Sequence, residues 1–407
     1  MGGDILFLAH RLPFPPDRGD RIRSAHVLRA LAEIAPVHVG CFVDDDANRA
    51  FEGELAALAA STCVITRRKP LPLAGVEAVL KARPISLAAY ADARLSAWVQ
   101  EKLASGRFAA VFVFSGQMGQ FVPQSWQGRL VVDLCDVDSA KFEAYARNAR
   151  GPMARIHARE GRLLAQVEAA LAARADHTLL ISEAEAALFA SRAPQARSIQ
   201  VMGNGIDADY FAPDTVKPAA GMVGAGPHLL FTGQMDYPPN VAAVVCMARR
   251  ILPLVQRDVP GAQFHIVGRA PSAEVRALAN IPGCTVHGAV ADMRPYLAAA
   301  DAVVAPLAIA RGVQNKVLEA MAMARPIVLS AEAATGIAAE HGVHFAIGGD
   351  DAHFAAQIVK LLVNPPVARA MGANARRFVT ENQSWPAMLA GMPAFLGMDR
   401  EEARSAA

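Results

Sequence analysis

Arg311, Gly312, Lys316 and Glu319 lie close together in the stretch DAVVAPLAIARGVQNKVLEAMAMARPIVLS, residues 301–330. Their types suit the binding of a phosphate-bearing ligand. Gly312 lets backbone N–H groups approach a ligand closely. Lys316 supplies a full positive charge. Glu319 follows three residues later, so on a helix it shares a face with Lys316. A cation for phosphate beside a carboxylate for hydroxyls fits a nucleotide sugar. The same spacing also fits a surface Lys–Glu helix pair with no ligand, and spacing alone leaves both readings open.

The elements that must position these residues can be read on either side. Residues 301–307 form a short run rich in Val and Ala, as in a buried strand. Pro306, Arg311 and Gly312 break it into a loop. In residues 314–324, Val317, Leu318, Met321 and Ala322 recur at the spacing of one helix face. Ala324-Arg325-Pro326 stops that helix, and residues 327–329 read as the next strand. This is a strand–loop–helix–strand unit of a parallel sheet, with its loop at a strand's carboxyl end, where open α/β sheets bind ligands. The helix start adds N–H donors and partial positive charge.

The same pattern recurs along the chain. Residues 5–9 read as a first strand, and residues 10–20, with three prolines, as a loop. Gly19, Asp20 and Arg21 lie where this loop meets a helix over residues 21–34. Residues 37–43, 111–114, 130–133 and 177–181 read as further strands. Asp136 and Asp138 follow one strand end. Either could orient a hydroxyl or act as a base, while Asp138 or Ser139 could instead cap the next helix. Ser182 and Glu185 make a capping box. Residues 206–226, with weak periodicity and several Pro and Gly, read as a linker between domains. Beyond it, residues 228–232 lead to the Gly233 loop, 263–267 to Gly268-Arg269, and 285–287 to Gly288. Strands alternating with helices imply parallel sheets covered on both faces. The expected architecture is α/β, with two Rossmann-like doubly wound domains facing a cleft. The boundaries are 1–205, 227–385, and a C-terminal helix over 386–407 returning toward the first domain.

Composition narrows the function classes. Hydrophobic content of 53%, charged content of 19% and a net charge of +2 fit a well-packed globular protein and give no case for nucleic acid. Five scattered cysteines with no CxxC read as reduced thiols in a cytoplasmic protein. No stretch reads as a signal peptide or a spanning helix. Residues 67–84, basic at the ends and apolar between, could rest on an anionic membrane or form a helix packed on its own domain. The GxGxxG fingerprint is missing, which disfavours a nicotinamide or flavin oxidoreductase.

Several motifs together resemble the GT-B glycosyltransferases of family 4: Asn204-Gly205-Ile206-Asp207, the Gly233 loop, Ile266-Val267-Gly268, His287-Gly288, residues 296–306, and Lys316 through Ala322 with Pro326. The first half, through PFPPDRGDRIR (residues 13–23), Asp136 to Lys141, and Met235-Asp236-Tyr237 with Asn240, is similar to the sugar transferases associated with exosortase exopolysaccharide loci. The resemblance implies transfer of a sugar from a nucleoside diphosphate to a glycan or lipid-linked glycan, with retention and no metal or other cofactor, at the inner face of the membrane. It implies donor binding by Gly233, Arg269, Gly288, Gly312, Lys316 and Glu319, the last on the ribose. Asp136, Lys316 and Arg311 are the expected catalytic residues, and Gly19, Asp20 and Arg21 the acceptor-side loop. Arg311 stands where the family often has a glutamate near the donor sugar, and Gln234 where it often has an arginine. The alternatives are a GT-B epimerase and a non-catalytic nucleotide-binding subunit.

Overall fold

The computed structural model describes residues 3–222, 226–310 and 313–398. The chain divides into two compact units. One holds the residues up to Asn204 together with the stretch from Met388; the other is Gly205–Ala387.

The first unit is built on seven parallel strands: β1 (Asp4–Ala9), β2 (Val37–Val43), β3 (Ser61–Thr66), β4 (Phe108–Phe114), β5 (Arg129–Cys135), β6 (His177–Leu180) and β7 (Ile199–Val201). Their order is β3-β2-β1-β4-β5-β6-β7. Every residue of β1 and β2 is buried, which is why these strands read as mostly apolar runs, and their polar exceptions Asp4 and His38 bond to each other at 3.1 Å. Arg23, from the helix Gly19–Ala32, is fully buried. Its Nε donates to Asp133 Oδ2 at 2.8 Å, and its other nitrogens to the carbonyls of Met202 (2.7 Å) and Gly203 (3.0 Å) and to Asn204 Oδ1 (3.0 Å). A buried carboxylate with no counter-charge would be costly, and this guanidinium supplies the charge. Arg129 Nε donates to the carbonyl of Phe395 at 2.9 Å, tying the C-terminal stretch to β5.

The second unit has six parallel strands: β8 (His228–Thr232), β9 (Gln263–Val267), β10 (Cys284–Gly288), β11 (Ala302–Ala305), β12 (Ile327–Leu329) and β13 (Ala346–Ile347). Their order is β10-β9-β8-β11-β12-β13. The winding direction reverses between β8 and β11, which marks the crevice where such sheets take a ligand. Those two strands pair with each other only through Ala302 with Leu229 and Val303 with Leu230, so toward their carboxyl ends they part while each stays paired with its outer neighbour. The unit's first and last residues lie side by side: Ile206 N–H donates to Gln383 O at 2.8 Å, and Trp385 N–H to Ile206 O at 3.2 Å. Among the described residues no helix is long and apolar enough to cross a membrane, and all five cysteines are free.

Candidate functional site

Three loops leave the carboxyl ends of β8, β9 and β10 and are stitched to one another. Gly233 N–H donates to Val267 O (3.1 Å), Gly268 N–H to Gly288 O (2.8 Å), and Met235 N–H to Arg269 O (2.9 Å). The approach is so close that a Cβ on Gly268 would lie 1.6 Å from Gly233 O. Gly288 adopts φ +72°, a left-handed turn that favours glycine.

The helix Asn315–Ala322 begins after β11, and no side chain of Gln314 caps it. Its first N–H groups have no intrahelical acceptors, as at any helix start. Val317, Leu318, Met321 and Ala322 are buried, which turns Lys316 and Glu319 to the crevice. Both are half-buried. Lys316 Nζ donates to Asn240 Oδ1 at 2.5 Å and sits 4.4 Å from the centroid of the Phe231 ring. Asn240 in turn donates from Nδ2 to Gln234 O at 2.9 Å, so it holds both the Gly233 loop and the lysine. A Cβ on Gly233 would crowd this pair, 2.8 Å from Asn240 Nδ2 and 3.1 Å from Lys316 Nζ. Asn240 occupies the first turn of the helix Pro238–Cys246, where two prolines pre-set the backbone.

The electrostatics are those of a partly buried ammonium beside a partly buried carboxyl. Burial lowers the Lys316 ammonium to a pKa of about 8, with Glu319 partly opposing the shift. Burial raises the Glu319 carboxyl to about 7, against the pull of Lys316. Among the described residues Lys316 makes no ion pair, and its polar partner is a neutral amide. An entering diphosphate would give the ammonium the counter-charge it lacks. A cavity of about 610 Å³ opens here, lined by Gly233, Gln234, Asn240, Arg269, Gln314, Lys316 and Glu319, with Tyr237, Val290, Met293 and Val313 giving apolar surface. Arg269 lies on its rim, its Nη2 donating to Gln234 Oε1 at 3.0 Å. Gln234, in the place where an arginine was expected, thus holds a neighbouring arginine beside the same cavity.

Of the residues singled out in the sequence, Gly233, Arg269, Lys316 and Glu319 line this cavity, and Gly288 supports its loops. Arg311 and Gly312 lie outside the described residues. Asn240 and Phe231 were not foreseen in their roles. The one signal available was the Pro238-Pro239 helix start, which places Asn240 in the first turn after the Gly233 loop.

The remaining candidates belong to the first unit. Gly19, Asp20 and Arg21 are not loop: they form the first turn of the helix Gly19–Ala32, which starts two residues before the expected position. Asp20 is gripped by Arg11 (2.8 Å), Arg18 (2.8 Å) and His10 (3.4 Å). Burial alone would raise its carboxyl, but the hydrogen bonds from His10, Arg18 and Arg11 outweigh it and hold the group far below the usual range. Arg21 is buried, 3.3 Å from Asp17. Asp136 follows β5 and is half-exposed, 3.7 Å from Lys141, which also meets Asp138 at 2.9 Å. Neither Asp138 nor Ser139 caps the helix Asp138–Asn148; Val137 holds the N-cap position without a side-chain bond. The first donors are taken instead by two distant carboxylates: Glu185 accepts from Val137 N–H (2.8 Å), and buried Glu168 from Ser139 N–H (3.0 Å) and Oγ (2.6 Å). Ser182 does cap, accepting from Glu185 N–H at 3.2 Å, but Glu185 spends its carboxylate on Val137, so the box stays one-sided.

Two parallel α/β units of these strand orders have the GT-B glycosyltransferase architecture. Sucrose-phosphate synthase from Thermosynechococcus elongatus superposes with a TM-score of 0.57 over 100% of both chains at 17% identity. Anabaena HepE, solved with UDP and glucose, superposes with a TM-score of 0.59 over 97% of this chain and 99% of its own, also at 17% identity. Residues 226–364, within the second unit, match the family model described as glycosyl transferases group 1. In sequence, the chain is 28% identical over 251 residues to the GDP-mannose-dependent alpha-(1-6)-phosphatidylinositol monomannoside mannosyltransferase of Mycobacterium tuberculosis, a match covering 55% of this chain. It spans 62% of that relative's length.

Proposed function

We propose that this chain is a glycosyltransferase that moves a sugar from a nucleoside diphosphate to a glycan acceptor. The observation that carries the reading is the half-buried Lys316 ammonium, held by neutral Asn240 at the start of the Asn315–Ala322 helix with Glu319 beside it. In this reading Glu319 accepts from the ribose hydroxyls. Lys316, the helix N–H groups and Arg269 take the diphosphate. Arg311 adds a third cation to the diphosphate or meets a carboxylate on the sugar. The bond between the anomeric carbon and the phosphate oxygen breaks, and the acceptor oxygen takes its place on the same face. The departing phosphate receives the acceptor proton, which accounts for retention without a carboxylate pair. Catalysis is then chiefly the electrostatic stabilisation of the leaving group.

The acceptor falls to the first unit, with Asp136 orienting its hydroxyl and the Gly19–Arg21 turn beside it. The acceptor is a lipid-linked glycan of exopolysaccharide synthesis at the cytoplasmic face of the membrane. This assignment is supported by the motif resemblance of the first half and by the lipid acceptor in the name of the mycobacterial relative. That relative uses a GDP sugar, and HepE was solved with UDP, so both bases belong in the test. Isothermal titration with UDP and GDP, followed by assay of nucleoside diphosphate release from their sugars, examines the reading directly. One nucleotide binds, and Lys316→Ala lowers turnover by about a hundredfold or more, the scale of a lost charge-stabilising donor. Binding of neither nucleotide, or an unchanged rate in Lys316→Ala, would overturn it.

A further inference from the structure

The helix Leu71–Leu80 (LPLAGVEAVL) has inverted polarity. It turns small Ala74 and Ala78 to the protein, while Leu71, Leu73, Val76, Val79 and Leu80 stand between 57% and 80% exposed. A helix folded only to serve a core would bury its large aliphatic residues and show the small ones. Polar straps hold this one in place instead. Glu77 meets Lys69 (2.9 Å), Lys81 (3.0 Å) and Arg83. Lys69 also donates to the carbonyls of Ala88 (2.8 Å) and Ala91 (3.0 Å). Arg159 donates to the carbonyls of Ala78 (2.8 Å) and Arg83 (3.2 Å). The result is a fixed helix with a contiguous aliphatic ridge facing outward.

We infer that this ridge is the surface by which the protein docks on an anionic lipid bilayer, its aliphatic side chains entering the acyl boundary and its flanking cations meeting the headgroups. The occupant follows from the chemistry of the ridge and its rim. From Arg67 to Arg83 there are five cations and one carboxylate, in a chain whose net charge is only +2. Arg67 is engaged by Asp44 at 2.7 Å and Lys69 by Glu77. Of the five, the most exposed are Arg68, 79% exposed and 3.7 Å from Asp46, and Lys81, 62% exposed and 3.0 Å from Glu77, one at each end of the helix; ion pairs this exposed are weak enough to give way to a headgroup. Beside the helix start, Arg49, Arg67, Arg68, Lys69 and Arg94 surround a pocket of about 340 Å³. The ridge itself holds no Trp, Tyr or Arg, the residues that anchor protein interfaces. An aliphatic strip with cations at both ends is the pattern of a helix lying in a bilayer interface.

The inference gives a place to the lipid-linked acceptor proposed above and rests on that reading only there. Its test reads binding alone, so the two can fail separately. The full chain is sedimented with phosphatidylcholine vesicles, with and without about 30% phosphatidylglycerol. Wild type should partition onto the anionic vesicles and release them with salt. The variant Leu73→Ser/Val76→Ser/Leu80→Ser changes exposed positions only, and should lose at least about tenfold in partitioning with its melting temperature unchanged. Arg68→Gln/Lys81→Gln should lose most of the preference for anionic over neutral vesicles. Absence of binding by wild type, undiminished binding by the triple variant, or lipid-free self-association that the triple variant abolishes would each overturn the proposal; the last would make the ridge a contact between copies.

Discussion

If Lys316 is the cation for the diphosphate, its depressed pKa must appear in the pH dependence of nucleotide affinity. Without a ligand the ammonium titrates at about 8, because burial is offset only by Glu319 and an amide. A bound diphosphate places negative charge against it and raises that value. Binding is therefore at full strength below pH 8 and weakens as pH rises above it, because the free protein must then take up a proton to bind. From the protonated fractions, affinity falls about eightfold between pH 7.5 and pH 9. A terminal phosphate has finished its second ionisation, near a pKa of about 6, before this window opens. Glu319, titrating at about 7, is already mostly ionised at its lower edge. Titration calorimetry across the window, with the nucleotide found to bind, gives the profile. Lys316→Met should bind about ten- to a hundredfold more weakly, the range of one charge-assisted hydrogen bond, and show no fall with pH. Lys316→Arg should also give a flat profile, since a guanidinium stays charged. A flat profile in wild type, or the same eightfold fall in Lys316→Met, would refute the assignment.

Other substitutions probe the rest of the site and its frame. Glu319→Gln removes the proposed ribose acceptor's charge and should weaken nucleotide binding while leaving turnover at saturating donor largely intact, read as a rise in KM with little change in kcat. Gly268→Ala would set a methyl 1.6 Å from Gly233 O and should destabilise the second unit by about 3 kcal/mol or more in denaturant unfolding. Arg23→Met strips the buried partner from Asp133 and should cost about 3–5 kcal/mol, with the loss seen in unfolding of the first unit.

The fold was legible where burial leaves an unmistakable pattern. The central strands β1, β2, β8 and β11 are apolar on both faces, and each is followed by a breaker, so their type and order could be read. The edges were harder. β3 is mostly half-buried, and β7 and β13 are three and two residues long, too short for any period to emerge. Within the site, Lys316 and Glu319 share one helix face and could be paired from their spacing. Asn240 could not be joined to Lys316, because its hydrogen bond spans 76 positions of the chain and depends on β8 and β11 lying together. The caps of the Asp138–Asn148 helix were misread for the same reason: local Asp138 and Ser139 had the right chemistry, but Glu168 and Glu185 arrive from elsewhere and take the donors. In the Leu71–Leu80 helix both faces are apolar by composition, and only the fold decides that alanines go inward.

The side-by-side hydrogen bonds of Ile206 with Gln383 and Trp385 bear on modularity. The chain enters the six-stranded unit and leaves it through one narrow doorway, having completed the whole domain in between. Such a domain can be lengthened, recombined or exchanged as a cassette without rerouting the polypeptide around it. Donor preference could then diversify independently of everything the seven-stranded unit recognises.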